Sequence, residues 1–213
     1  MATFEERIND LIGSYSDQDA MDTFMSDGLK EIYNLLPKEK LLECITHTEL
    51  SNSPSTLDLD TVTVGPVISV TRKTAEGYGQ LCRKISAALS SRVTDPNDLL
   101  YVTETDPVFF IKNAVLNVFP DPTATQTAEV MYLPLTAVDA SAHTKIDNLS
   151  NDVEYIVVLY AAIKCAESLL ASEEDEELYV PIIKGLRSDY IQSLTLVGAQ
   201  GMKEFVSATK AKK

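Results

Sequence analysis

NDVEYIVVLYAAIKCAESLL, residues 151–170, is the stretch on which the reading of the fold turns. Its apolar residues do not keep to one stripe: Val153, Ile156, Val157, Val158, Leu159, Tyr160, Ala161, Ala162, Ile163, Cys165, Ala166, Leu169 and Leu170 run nearly all the way round a helix. A helix on the surface of a domain needs a single apolar face. One that is apolar on every side is either the central helix of a core or is covered by neighbouring subunits, and Val157, Leu159, Tyr160 and Ile163 are the residues that would make that packing. Asn151 followed by Glu154 reads as a capping box with Asn in place of Ser or Thr.

Moving toward the C-terminus, the acidic run Glu173–Glu177 reads as a solvated turn or the first turn of a further helix. Tyr179, Ile182, Ile183, Leu186, Tyr190, Leu194 and Val197 then recur at helical spacing. Pro181 is placed in the first turn, where a missing N–H costs nothing. The two helices are expected to pair as an antiparallel hairpin. Residues 201–213 carry Lys203, Lys210, Lys212 and Lys213 against the single acid Glu204, the composition of a basic flexible tail.

The N-terminal side is helical as well. Met1–Leu11 suits a short helix. Met21, Phe24, Met25, Gly28, Leu29, Ile32, Leu35 and Leu36 draw the stripe of a half-buried one, with Ser16 or Asp17 as cap and Pro37 as stop. Beyond the polar loop Ser51–Thr56 the period changes to two, from Leu57 to Val64, and a second strand-like run, Pro66–Arg72, follows Gly65. Glu76–Gly79 is a turn, Leu81–Asp98 is ambiguous, and Asp95-Pro-Asn-Asp is a strong turn signal. Val108–Lys112, Val115–Phe119 and Ala128–Leu133 predict an antiparallel meander. Within it, Pro120, Asp121, Pro122 and Thr123 would form the tip of a short hairpin whose prolines blunt its strand ends.

These elements predict an α+β fold in a single domain over 1–213: a helical core from residues 1–50 and 145–200, an N-terminal helix plus the C-terminal helical hairpin, with an antiparallel β-rich insertion at 57–135. The composition bounds function. A formal charge of −14 excludes binding nucleic acid over the whole surface, although it suits a passage that DNA leaves freely. Cys44, Cys82 and Cys165 are widely spaced, odd in number and set among apolar neighbours, as reduced core thiols are. Met1–Asp10 lacks the apolar segment of an export leader, and the longest unbroken apolar run, Ile156–Ile163, is shorter than the roughly 20 residues of a membrane span, so no membrane partner is expected. His47 and His143 stand in no metal-ligand spacing, and no nucleophile elbow, Cys/His dyad or phosphate loop occurs. No enzyme activity, cofactor or metal is expected.

The order of features resembles the head-to-tail adaptor (connector, or neck) proteins of tailed bacteriophages, virion structural proteins. Three stretches carry it: LSSRVTDPNDLLYVTETDPVFFI (89–111), VLNVFPDPTATQTAEVMYLPLT (115–136), and LSNDVEYIVVLYAAIKCAESLLASEEDEEL (149–178) with the helix that follows. The resemblance implies a homo-oligomeric ring, typically of twelve subunits, docked beneath the portal protein at the head–tail junction of the virion and assembled in the host cytoplasm. It further implies tail or nozzle proteins as partners, and DNA passing through a channel without specific binding. Lys203, Lys210, Lys212 and Lys213 would then be candidate portal contacts, and Pro120–Thr123 a contact to a neighbour or tail protein. The long insertion departs from the simplest adaptors. Two other classes stay open: another neck or tail component, such as a stopper or tail completion protein, and a cellular α+β module for a peptide or small ligand.

Overall fold

The structure, a computed structural model, describes residues 2–51, 56–60, 64–173 and 175–198. The fold is α+β, in two compact units where the sequence predicts one domain. The boundaries fall at Cys44/Ile45 and Pro134/Leu135, so the helical part is 1–44 with 135–213, and the β part begins well before Leu57. The reason is local: Thr46–Leu50, placed with the helices from sequence, is a strand of the β unit.

In the helical unit, helix α1 (Phe4–Ile12) opens with a complete capping box, Thr3 Oγ1 accepting from the Glu6 N–H and the Glu6 carboxylate accepting from the Thr3 N–H. It buries Phe4, Ile8 and Ile12, and Gly13, with φ of +89°, ends it. Helix α2 (Gln18–Leu35) is capped by Asp17, whose side chain accepts from Ala20 N–H, and stops before Pro37 because a residue preceding proline is driven out of the helical region. Helix α3 (Lys38–Glu43) is one and a half turns long. Helices α5 (Asn151–Glu173) and α6 (Glu176–Leu196) form the expected pair, with Asp175 capping α6 at Leu178 N–H. Pro181 is the sixth residue of α6 rather than a first-turn residue. Its missing N–H leaves the Glu177 carbonyl without its helical donor, and Glu177 is solvent-exposed.

The β unit holds two four-stranded sheets. Strands β1 (Thr46–Leu50), β8 (Ala128–Pro134), β3 (Val64–Lys73) and β4 (Gly79–Leu81) form the first, in that order and all antiparallel. Strands β2 (Thr56–Asp58), β7 (Val115–Phe119), β6 (Val108–Lys112) and β5 (Arg83–Lys84) form the second, with β5 and β6 parallel. Gly65-Pro66 does not separate two strands; the register shifts between Val64, Val67 and Ser69 instead, a bulge absorbed within one long strand. Asn113 and Ala114 both take positive φ in the two-residue β6–β7 turn, the twist that suits a tight hairpin. Val70, Ala128 and Val130 of the first sheet and Phe109, Leu116 and Val118 of the second share one core. The ambiguous stretch resolves into a 3-10 turn (Ala87–Leu89) and the four-residue helix α4 (Ser90–Val93).

The predicted meander is overturned. The hairpin β6–β7 forms, but β7 and β8 belong to different sheets. Both sides of β7 are taken, by β6 and β2, and both sides of β8, by β1 and β3, so the two cannot pair.

Candidate interaction surface

The four apolar residues singled out on α5 lie in the core of their own unit. Val157 and Leu159 are fully buried, Ile163 nearly so, and α5 is packed by α1, α2 and α6. The alternative of a helix covered by neighbouring subunits is therefore not needed to explain its composition. Tyr160 is half-buried over Gly28 of α2, so close that a Cβ at Gly28 would stand 2.8 Å from the ring. Its ring also meets Tyr190 at 6.3 Å between centroids, and the Tyr190 hydroxyl donates to Glu31. Burial, then the Glu31 carboxylate, holds both phenols above their ordinary range. Beside them Glu167 bridges Lys164 and Arg187 at 3.0 and 2.6 Å, tying α5 to α6.

Helix α5 has the length and composition of a membrane span. Three of its charged groups argue for a core helix instead: Glu154 pairs with Arg7, and Glu167 pairs with both Lys164 and Arg187. Glu154 is not the capping residue that Asn151 suggests: α5 already begins at Asn151, and the Glu154 N–H bonds to the Ser150 carbonyl. Its carboxylate turns inward, where it accepts from Arg7 at 2.6 Å and from the Ile146 N–H at 3.1 Å, with its side chain only 6% exposed. One buried acid thus joins α1, α5 and the loop ahead of α5.

Pro120, Asp121, Pro122 and Thr123 sit in the crossover from the second sheet to the first, not at the tip of a hairpin. The Phe119–Pro120 peptide is cis. Arg72 of β3, itself 2% exposed, organises the crossover: its guanidinium donates to the carbonyls of Pro120 (2.9 Å) and Asp121 (3.3 Å) and to the Gln126 side chain (3.1 Å). Thr123 and Gln126 close the loop on each other, and Pro122 is buried. Asp121 and Thr123 remain solvent-exposed, but the segment is a structural joint. Nothing in the sequence marks Arg72 for this role; an Arg in an alternating strand reads as a solvent-facing residue. Lys203, Lys210, Lys212 and Lys213 lie outside the described residues.

Among the described residues no group of His, Cys, Asp and Glu has a metal-binding arrangement. His143 Nδ1 accepts from the Asp139 N–H within a turn, and His47 is exposed 4.0 Å from Glu129. The three thiols are free and buried, and burial pushes those of Cys82 and Cys165 up to about 12, so none is a poised nucleophile.

What the sequence reading missed is a cleft of about 540 Å³ in the β unit, lined by residues of β3 (Pro66 to Val70), by Leu81, Cys82 and Lys84, and by Phe109 and Ile111 of β6. It exists because β4 pairs with β3 only at Thr71–Lys73 and β5 with β6 only at Val108–Phe109, leaving the flanking lengths of both strands uncovered. The exposed apolar side chains Ile68 and Leu81 extend its lining to the surface. With one cation on mostly apolar walls, it suits the docking of an apolar group. Only the wide spacing of strand-like runs around Gly79–Lys84 hints at short, incomplete edge strands there. No protein-family model matches the sequence, and no curated protein matches it.

Proposed function

We propose that this chain is a non-enzymatic structural subunit of a head-to-tail adaptor ring of a tailed bacteriophage, docked under the portal and offering a tail attachment surface around the DNA channel. The observation that carries this reading is the layout: a helical unit interrupted between Cys44 and Leu135 by a β unit with its own core. That is the division of labour expected of an adaptor, in which helical parts pack side by side around the ring and β parts reach toward the tail. Charge supports it. The helical unit, residues 1–44 and 135–213, holds 22 acids against 12 bases, a formal −10, which repels rather than grips a DNA backbone. The mechanism is geometric: repeated heterologous contacts close a ring and convert the symmetry of the portal into a surface for the tail. Because α5 is consumed by its own unit, those contacts must come from other surfaces.

The test is to mix the purified chain with candidate portal proteins and follow mass by light scattering together with negative-stain images. Rings of about a dozen copies on the portal are expected; a chain that stays monomeric and ignores every portal sinks the reading. The cleft favours a second reading, an α+β module binding a peptide or small ligand, for which that monomer is the expected result.

A further inference from the structure

We propose that the β unit carries both halves of a head-to-tail contact between copies of this chain: the Leu99–Tyr101 tip of one copy seats in the β3/β6 cleft of the next. The projecting half is unusual in being both apolar and rigid. Leu99 is fully exposed and Tyr101 half so, yet the loop that presents them is fixed by consecutive turns. The Asp95 carboxylate accepts from the Asn97 N–H, the Asp98 carboxylate accepts from the Leu100 N–H, and the backbone closes Asp98 N–H to Asp95 and Tyr101 N–H to Asp98. Arg92 holds Asp98 through two nitrogens at 2.8 and 3.2 Å. Below the tip, Leu100 packs on the cluster of Val93, Val102 and Val108. An apolar anchor held this way loses little freedom on docking, which is where binding energy is usually spent.

The receiving half is the cleft, whose apolar lining continues to Leu81, 69% exposed, and Ile68. Two features point to a second copy as its occupant. The first is topological. Along β6, Val108 faces the cluster beneath the tip, while Phe109 and Ile111 face the cleft and the inter-sheet core. Alternate strand residues point to opposite faces, so tip and cleft are on opposite sides of the second sheet, and a molecule does not fill its own cleft with its own Leu99. Complementary patches on different faces of one molecule give heterologous contacts, which close into rings or run on as filaments. The second is charge. The exposed Lys84 lines the cleft, while the tip carries exposed Asp95; neither has an ion-pair partner among the described residues.

This inference deepens the ring reading and rests on the head-to-tail arrangement which that reading requires. The experiment uses the full chain with one engineered thiol on each half, Leu81→Cys and Leu99→Cys, both at exposed positions; the native thiols are buried and stay silent. Mild oxidation of the double variant is expected to give a ladder of covalent oligomers. Each single variant alone is expected to stay monomeric, and an equal mixture of the two is expected to give dimers only, each holding one L81C and one L99C chain. Lys84→Glu should lower the dimer yield about threefold, and Asp95→Lys in the other chain should restore it. Melting temperatures within about 2 °C of the parent protein confirm that the variants fold. Self-linking of either single variant as efficient as the mixture overturns the proposal, because the contact is then symmetric or random. So does the absence of linkage, whether the cleft is empty or another protein's strand occupies it. Rings on a portal without this linkage remove the contact and leave the adaptor reading standing. Linkage in a chain that ignores portals keeps the contact and sinks that reading.

Discussion

Replacing Arg7 by Met isolates the buried acid that joins three segments of the helical unit. Glu154 would retain its bond from Ile146 N–H, lose the guanidinium at 2.6 Å, and stay in a site where its side chain is 6% exposed. Breaking a buried ion pair by removing one partner costs about 3–5 kcal/mol, because the surviving charge is stranded. Arg7 is 26% exposed, so water enters the vacated place and the expected cost falls to about 2–3 kcal/mol. That includes the small contribution of the guanidinium over the Phe4 ring, 5.2 Å from its centroid. Glu154→Gln keeps an acceptor for Ile146 N–H and frees a partly hydrated Arg7, at about 1–2 kcal/mol. In the double variant no charge is stranded, so it should be no less stable than Arg7→Met, with a coupling energy of about 1–2 kcal/mol. Urea unfolding followed by helical ellipticity, which reports this unit most strongly, measures all four corners of the cycle. An Arg7→Met cost below about 0.5 kcal/mol, or purely additive variants, would refute the placement of Glu154 as a stranded charge.

Gly28→Ala should destabilise the chain by about 1–3 kcal/mol although Ala is the better helix former, since its methyl would meet the Tyr160 ring at 2.8 Å; Tyr160→Leu in the same chain should recover part of the loss in thermal melts. Arg72→Met should cost about 2–4 kcal/mol, as three acceptors in the crossover lose their donor, and should quicken proteolysis between Phe119 and Ala128. For Glu167, partial burial works to raise the carboxyl, but hydrogen bonds from Arg187 and Lys164 outweigh it and hold the group below its ordinary value. A lowered folded pKa contributes stability above the unfolded value and loses it as pH falls through the folded one. The stability gap between the parent chain and Arg187→Met should therefore be open at neutral pH and close under acid, read from urea midpoints at both; a gap independent of pH would count against the bridge.

Periodicity located the helices because burial of one face leaves a local signature. Met21, Met25, Leu29 and Ile32 mark the inward side of α2 as they stand in the sequence, and Asp17 and Pro37 mark its ends. Strand existence was equally legible at Val108–Lys112 and Val115–Phe119, where a two-residue turn makes pairing a local matter. Strand partners were not. The segment after Phe119 looks like a hairpin by length and composition, yet it crosses between sheets because β2 and β1, from far upstream, already occupy the neighbouring edges.

Sequence alone determined what local chemistry dictates: an α+β chain, the cap and the stop of α2, three thiols set among apolar neighbours, and a strongly negative net charge. Tertiary structure alone decided what depends on groups distant in the chain. It showed that the all-apolar α5 is wrapped by its own unit, that Glu154 pairs with Arg7 and that Arg72 organises the crossover. It also showed that two short edge strands leave an apolar cleft lined by β3 and β6. Helix patterns repeat every few residues and so are written into the chain, whereas the partner of a buried charge or an open strand edge is set by whichever remote segment arrives beside it.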